Sequence, residues 1–132
     1  MATKTSTRHR VSDADYPQQP GVYVVYSGAD ERPLYVGVAA TQTIAQRWNG
    51  QHLRPRSGGS ALRRSVGPHL GLVTGKLRRP DRYYSPSVEE AITGFLQSCE
   101  VEFHPTASGE EARVLESRLI RELDPRLNVI RG

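Results

Sequence analysis

The chain has 132 residues, a net charge of +4, 36% hydrophobic residues and a single cysteine, so its length suits one domain around one core. Cys99 alone excludes an internal disulfide, and the four scattered histidines form no cluster with it that suggests structural zinc, which fits a reducing compartment. No apolar run approaches the roughly 20 residues of a membrane span, and the first residues are too polar for a signal peptide, so we expect a cytoplasmic protein.

The hydrophobic pattern begins only at residue 21. Residues 1–20 mix charged residues with Thr, Ser and Pro, which predicts a flexible N-terminal tail before a single domain over 21–132. Residues 21–27 and 34–38 are rich in β-branched and aromatic residues around a turn-like segment, and this pattern predicts a β-hairpin.

Tyr23, Tyr35 and Gly37 are the residues of the predicted hairpin that are candidates for a functional site. If Tyr23 faces Gly37, then Val25 faces Tyr35, and both tyrosines lie on one face of the sheet. A one-residue slip would send them to opposite faces. Packing with a satisfied hydroxyl is the ordinary role of a strand tyrosine, whereas a phenol beside a glycine is also a candidate for proton transfer.

Cap residues and apolar periodicity predict four helices. They run from Thr41 or Thr43 to about Leu53, from Ser60 to an interruption at Gly67-Pro68, from Ser87 to about Ser98, and from Ser108 to Leu123. Val101 and Phe103 alternate with polar residues as a third strand. The sequence therefore predicts an α+β domain with an extended helical region at about 67–98.

The basic residues are concentrated in the middle of the chain. Positions 41 to 82 contain a single acidic residue, Asp81, and nine basic residues: Arg47, Arg54, Arg56, Arg63, Arg64, Lys76, Arg78, Arg79 and Arg82. Such a block is typical of proteins that bind a polyanion such as nucleic acid. An arginine-rich solvated surface is the alternative, because the chain has 16 arginines and only 2 lysines.

Residues of the first two helices are candidates for phosphate binding. Arg47 and Gln51 lie one turn apart, so Gln51 can orient a guanidinium that suits a phosphodiester. His52 is a candidate proton donor or phosphate ligand, although a histidine at a helix end is commonly a surface residue. The candidate nucleic-acid contacts are Arg47, Arg54, Arg56, Ser60, Arg63 and Arg64, around a Gly-Ser loop that precedes a helix.

Glu116 is a charged residue at an apolar position of the last predicted helix. A projection at about 100° per residue puts it inside the apolar stripe of Ala112, Leu115, Leu119, Ile120 and Leu123. A buried carboxylate requires a partner. The sequence leaves two partners open, an arginine or a hard divalent cation such as Mg²⁺.

The ordered set of these motifs resembles the GIY-YIG endonuclease family over about residues 21–131. The set comprises Gly21-Val22-Tyr23, Tyr35-Val36-Gly37, Arg47, Glu116 and the closing Pro125-Arg126-Leu127-Asn128. The resemblance implies a small three-stranded antiparallel sheet flanked by helices. It also implies cleavage of DNA phosphodiester bonds with one divalent metal ion, Mg²⁺ or Mn²⁺.

The resemblance also implies residue roles. Tyr23 and Tyr35 would line the site, with Tyr23 expected to help deprotonate the attacking water. Arg47 would bind the scissile phosphate, Glu116 would ligate the metal, and Asn128 would occupy a terminal polar position. Many family members carry His or Tyr four residues after the helix arginine; this chain has Gln51 there, and His52 follows as the candidate second base.

These observations predict a metal-dependent DNA endonuclease. Its substrate would be double-stranded or branched DNA, and its specificity would come from the compact domain, a homodimer or a partner protein. The alternative is a non-catalytic nucleic-acid-binding module on the same fold, and a third reading is an enzyme acting on RNA or another phosphate ester. A carboxylate in the apolar stripe favours the enzyme, because a binding module does not need one.

Overall fold

The computed structural model describes residues 7–28, 30–55, 60–73 and 84–128, which form an α+β fold as predicted. The strands are β1 (Arg8–Arg10), β2 (Gly21–Tyr26), β3 (Tyr35–Ala39) and β4 (Glu100–Pro105). The helices are α1 (Ile44–Arg47), α2 (Ala61–His69), α3 (Pro86–Ser98) and α4 (Gly109–Leu123), and a π-helical segment (Trp48–His52) continues α1. None of the helices in these ranges is long and apolar enough to cross a bilayer.

The sheet is antiparallel with the strand order β1-β4-β2-β3. Tyr23 pairs with Gly37 and Val25 with Tyr35, so the predicted hairpin register is confirmed. The prediction of three strands is wrong, because β1 adds a fourth strand beside β4. Strand β3 is left at the opposite edge.

Strand β1 comes from the segment predicted to be a flexible tail, of which residues 1–6 lie outside the described ranges. Arg8 places its guanidinium 3.8 Å from the ring centre of Tyr26 and 2.8 Å from the Glu100 carboxylate. Tyr16 stacks on Trp48 with ring centres 5.7 Å apart. These contacts join residues that are distant in sequence. Strand β1 itself is short and charged and has no apolar alternation, so the local sequence did not predict a strand there.

The two faces of the sheet carry separate cores. On one face, Tyr23 and Val25 pack against buried residues of α1, α2 and α3 and of the π-helical segment. On the other face, Val22, Val24 and Val36 pack against α4. The residues that α4 contributes are Ala112, Leu115, Leu119, Ile120 and Leu123, which confirms the predicted apolar stripe.

Helix α2 runs through Gly67 and Pro68, where the sequence predicted an interruption. Proline has no amide proton for the carbonyl of Arg64, one turn earlier. The Tyr84 hydroxyl donates to that carbonyl at 2.8 Å. The Tyr84 ring also lies against Gly67, where a Cβ atom would approach it to 3.0 Å. A tertiary contact thus satisfies the group that proline leaves unpaired.

Helix α3 begins at Pro86 after the N-cap Ser85, so the predicted capping box at Ser87 is wrong, although the predicted end at Ser98 is correct. The Glu89 side chain turns inward and bonds Arg63 and the Tyr84 amide. The buried Ile92 and Leu96 belong to the main core cluster. The described residues of the predicted helical region at 67–98 therefore cover the core. Residues 74–83 of that region lie outside the described ranges.

The Arg63–Glu89 ion pair is buried, with side-chain exposures of 2% and 5% and an N–O distance of 2.8 Å. We expect Arg63→Met to lower the free energy of unfolding by about 3–5 kcal/mol, because the carboxylate loses its cation. Urea denaturation measures this change. In the matched control, Arg118→Met removes an exposed pair with Glu122 and costs below about 1 kcal/mol. Equal losses in both variants would contradict the structural role of the buried pair.

Gly37 leaves room for the Tyr23 ring. A Cβ at Gly37 would lie 2.5 Å from two ring carbons of Tyr23. We expect Gly37→Ala to lower the free energy of unfolding by about 1–3 kcal/mol through overpacking. Gly94→Ala on α3, where a Cβ meets nothing within 4 Å, should instead raise it by roughly 0.5–1 kcal/mol. Thermal denaturation of both variants tests the contrast, and a neutral Gly37→Ala would overturn it.

Candidate active site

Tyr23 is fully enclosed, with 0% of its surface exposed. Its hydroxyl lies 2.5 Å from Nε2 of His52. Burial and the charge of Tyr35 raise the pKa of Tyr23, whereas the charge and hydrogen bonding of Arg47 lower it. A phenol oxygen without exposed surface cannot reach solvent water in this conformation, which conflicts with the direct water-deprotonating role expected for Tyr23.

Tyr35 is the tyrosine of the pair that retains accessible surface. It lies on the edge strand β3, two residues before Gly37. Burial raises the pKa of Tyr35, and the charges of Arg47 and Arg64 oppose that rise. The phenol available to a ligand in this structure is therefore that of Tyr35.

Arg47 is oriented by Gln51, as the spacing predicts, because its Nη1 donates to the Gln51 side-chain oxygen. Its Nε is buried and has no hydrogen-bond partner among the described residues. The charge of Arg47 influences the pKa of both tyrosines and of Glu116. Arg47 therefore lies centrally and keeps a donor free for an anion.

The π-helical segment explains the position of His52. Residues five apart in an α-helix differ by about 140° around the axis, whereas the i→i+5 bonds of a π-helix bring them close to one full turn. The Leu53 amide bonds the Trp48 carbonyl at 2.9 Å in this pattern. His52 thereby returns toward the face of Arg47, although the sequence places it one residue beyond the family's usual position.

His52 is a buried supporting residue, with 0% exposure. Its Nδ1 lies 2.7 Å from the Ser60 hydroxyl oxygen, while its Nε2 contacts Tyr23. Burial and the charges of Arg47 and Arg63 hold the pKa of His52 well below its usual value. His52 is thus neutral near pH 7 and does not bind phosphate from solvent.

The predicted nucleic-acid contacts divide into accessible and enclosed residues. Ser60 is 0% exposed and Arg63 only 2%, so their predicted DNA contacts are wrong in this structure: both serve the core. Arg54 is exposed, and Arg64 is half-buried with an Nε that has no partner among the described residues. The predicted contact at Arg56 lies outside the described residues. Sequence alone could not separate these arginines, because burial depends on how α2 packs against α3.

Glu116 is half-buried on α4 and belongs electrostatically to the same site. Burial raises its pKa, and Arg113 and Arg47 lower it. Sequence reasoning overlooked Arg113, although its i,i+3 spacing from Glu116 was a usable signal. Although α1 and α4 pack on opposite faces of the sheet, the charge of Arg47 still lowers the pKa of Glu116.

Glu116 suits a hard cation. No described side chain forms an ion pair or hydrogen bond with its carboxylate, so its oxygens are available. The described residues contain no group of three or more His, Cys, Asp or Glu that could hold a metal. Mg²⁺ is commonly held by one or two carboxylates together with water and phosphate. The donor set at Glu116 matches that kind of site.

Asn128 binds the backbone of β3, and its predicted place among the catalytic residues stays a prediction. Its Oδ1 accepts from the Val36 amide at 2.7 Å, and its Nδ2 donates to the Val36 carbonyl at 2.8 Å. Leu127 adds a backbone bond to Leu34 at 2.9 Å. Asn128 therefore covers the exposed edge of the sheet beside the two tyrosines.

Acid should destabilise the protein through His52. The unfolded chain binds a proton at His52 below its ordinary pKa of 6.5, but the folded chain does not, so stability falls as the pH drops through that range. We expect a larger loss of unfolding free energy between pH 7 and pH 5 in the wild type than in His52→Gln. Urea titrations at both pH values measure the loss, with the exposed His69→Gln as the control. Equal acid sensitivity in wild type and His52→Gln would contradict the buried neutral imidazole.

Comparison with known proteins identifies the family of this chain. The family pattern described as the GIY-YIG catalytic domain matches residues 7–131. The UvrABC system protein C of Aromatoleum aromaticum is 32% identical over 114 residues, which cover 86% of this chain but 14% of that protein. The magnesium-bound GIY-YIG N-terminal endonuclease domain of UvrC from Thermotoga maritima is 22% identical, covers 86% of this chain and 88% of its own, and has a TM-score of 0.47. Since the family pattern spans nearly the whole chain, the chain belongs to the GIY-YIG catalytic domain family, as its motifs predict.

Proposed function

We propose that this protein is a metal-dependent endonuclease that hydrolyses phosphodiester bonds of DNA. The observation that carries the proposal is the electrostatic coupling of Arg47, Tyr35 and Glu116. The charges of Arg47 and Glu116 act on the pKa of Tyr35, and the charge of Arg47 acts on the pKa of Glu116. The Glu116 carboxylate pairs with no described side chain, which is costly in a half-buried group without a ligand. A structural module has no need of such a group.

The scissile phosphate would bind between Arg47 and Arg64. Both guanidiniums are half-buried, and the Nε atom of each is buried without a partner among the described residues. A buried donor of this kind is ordinarily satisfied, and an anionic oxygen satisfies it with a strong, charge-assisted bond. The two arginines would also stabilise the extra negative charge of the transition state.

Glu116 would hold the divalent cation, Mg²⁺ or Mn²⁺. When bound, such a cation polarises the phosphate and stabilises the charge on the leaving oxygen. The raised pKa of Glu116 reflects burial of a carboxylate without a cationic contact, and a metal ion would remove that penalty. Arg113, on the same helix, would keep the carboxylate ionised before the metal arrives.

Tyr35 would contact the attacking water. Tyr23 would remain enclosed and pack beneath the site. Tyr35 has accessible surface and lies under the charges of Arg47 and Arg64, which favour its phenolate. Its oxygen can accept the proton of water as the water attacks phosphorus. Because burial still raises the pKa of Tyr35, the cleavage rate should increase with pH above neutrality.

Duplex or branched DNA is the proposed substrate class. Arg54 is exposed in the basic middle of the chain, and contacts of this kind to the phosphate backbone are independent of sequence. The name of the Aromatoleum relative places that protein in the UvrABC system, but the chain spans only 14% of its length. We propose that a homodimer or a partner protein supplies target selection, in the cytoplasm.

Cleavage of supercoiled plasmid tests the proposal. We expect the wild type to nick plasmid in Mg²⁺ or Mn²⁺ and to lose the activity in chelator. Glu116→Gln should reduce the rate at least about 100-fold, because it removes the ionised ligand while keeping the shape of the side chain. The exposed Glu122→Gln on the same helix is the matched control and should retain activity.

Folding and DNA binding of each variant separate the outcomes. Circular dichroism checks the fold, and gel shift checks binding to duplex, branched DNA and RNA. A folded wild type that binds these substrates but cuts none of them in either metal would overturn the endonuclease proposal and support the non-catalytic binding module. Equal cleavage by wild type and Glu116→Gln would overturn the role of the carboxylate.

A further inference from the structure

The last residue of the π-helical segment, His52, is held at two points by the first turn of α2. Oγ of Ser60, the N-cap of α2, lies 2.7 Å from Nδ1 of the His52 ring. Nη1 of Arg63, three residues after that cap, donates to the His52 carbonyl at 3.0 Å. The Arg63 amide also donates to Oγ of Ser60 at 3.0 Å. One helical turn therefore holds both the ring and the backbone of His52.

The same turn is fixed to α3 through the Arg63 guanidinium. Nη2 of Arg63 donates to the Glu89 carboxylate at 2.8 Å and to the Glu89 carbonyl at 2.9 Å, and Nε donates to the same carboxylate at 3.3 Å. With Nη1 bonded to His52, every nitrogen of this buried guanidinium has a partner. A planar fork bonded on all sides cannot turn without breaking several hydrogen bonds. Arg63 therefore keeps the His52 carbonyl at a fixed place relative to α3.

The π geometry of the segment is what brings His52 to Tyr23. The last carbonyls of a helix have no partners inside the helix, and π-helical turns occur only in short, rare pieces. If the segment relaxed to an α-helix, His52 would point about 140° away from Arg47. Its ring would then leave the Tyr23 ring, whose centre now lies 5.3 Å away. The bond from Arg63 to the His52 carbonyl therefore favours the conformation that joins His52 to Tyr23.

Arg47 depends on the same segment. Gln51, the residue before His52, accepts a hydrogen bond from Nη1 of Arg47. At the start of the segment, the buried Trp48 ring packs edge-on against the rings of Tyr23 and His52. The segment that orients Arg47 is thus fixed by core packing at its start and by the bond to α2 at its end.

We propose that Arg63, fixed by Glu89, is a positioning residue that holds the π-helical segment by the carbonyl of His52 and so keeps the candidate site assembled. It keeps the His52 ring against Tyr23 and the Arg47 guanidinium in place. Arg63 is enclosed and touches no substrate, so it acts on the site only through the segment. The positioning does not depend on the proposed function, whereas its catalytic consequence rests on that function.

Spectra of the ¹³C,¹⁵N-labelled full chain test the positioning without any substrate. In the wild type we expect nuclear Overhauser cross-peaks between the ring protons of Tyr23 and His52, because their ring centres are 5.3 Å apart. We also expect separate Nη–H signals for Arg63, because its bonded guanidinium cannot rotate freely. Missing cross-peaks, or a single averaged Nη signal for Arg63, would overturn the proposal even if no variant folded.

A double substitution removes the anchor while limiting the loss of stability. Arg63→Met with Glu89→Gln takes both charges out of the interior, and such replacements of a buried ion pair are often tolerated. The new side-chain amide keeps an oxygen for the Tyr84 amide proton. We expect this variant to fold by circular dichroism and to lose the cross-peaks between Tyr23 and His52. Retained cross-peaks in the folded variant would overturn the proposal.

Two further variants complete the comparison. Arg118→Met with Glu122→Gln makes the same changes in the exposed ion pair of α4, and it should keep both the cross-peaks and kcat. Arg63→Lys keeps a cation for Glu89 but lacks the planar fork that reaches two partners, so the cross-peaks should weaken. Cross-peaks of wild-type intensity in folded Arg63→Lys would overturn the role of the guanidinium.

Plasmid cleavage connects the positioning to catalysis. We expect Arg63→Met with Glu89→Gln to lower kcat at least about tenfold, because a displacement of about 1 Å at a reacting group can lower a rate about 100-fold. DNA affinity in chelator should change little, since contacts of exposed arginines to the phosphate backbone supply it. Unchanged kcat in the folded variant without cross-peaks would overturn the catalytic consequence. An inactive wild type with the expected spectra would count against the endonuclease proposal and leave the positioning by Arg63 standing.

Discussion

The enclosed hydroxyl of Tyr23 is the constraint on which much of this structure depends. A polar group without access to water must be hydrogen-bonded inside the protein, or folding pays its full desolvation cost. The partner is His52, which reaches the phenol because the helix after Arg47 changes to π geometry. His52 in turn requires Ser60, the cap of α2. The hairpin, the first helix and the second helix are therefore tied together by one buried polar chain.

The arginines divide into two kinds by the same physics. Arg63 is fully used: it binds the Glu89 carboxylate and the His52 carbonyl, and so joins α2, α3 and the π-helical segment behind the site. Arg47 and Arg64 are half-buried and each keeps an unpaired Nε among the described residues. The buried ion pair thus joins the helices, and the two incompletely paired guanidiniums keep donors for the proposed phosphate. Glu116 lies on the other side of the sheet, because α4 packs on the face formed by Val22, Val24 and Val36.

Local signals predicted a large part of this architecture correctly. The tyrosine and glycine strings of the hairpin suggested that Tyr23 faces Gly37, and the observed register has this pair, which puts Tyr23 and Tyr35 on one face of the sheet. Thr43, Ser60 and Ser108 cap α1, α2 and α4, because short polar side chains satisfy the free amides of a first turn. The apolar stripe of α4, with Glu116 inside it, followed from helical periodicity alone. The caps and the apolar stripe depend on residues within a few positions of one another, and the hairpin joins two strands that follow each other in the chain.

The sequence by itself determined the hairpin, the helices that carry Arg47 and Glu116, and the family to which these motifs belong. Only the tertiary structure decided which of the candidates contact one another. Strand β1 depends on Arg8 reaching Tyr26 and Glu100, the helix through Pro68 depends on Tyr84, and Asn128 bonds the backbone of β3. Ser60 and Arg63 moved from a predicted DNA surface to the interior for the same reason. Burial and pairing between distant residues are set by the packing of helices and sheet, which no local pattern encodes.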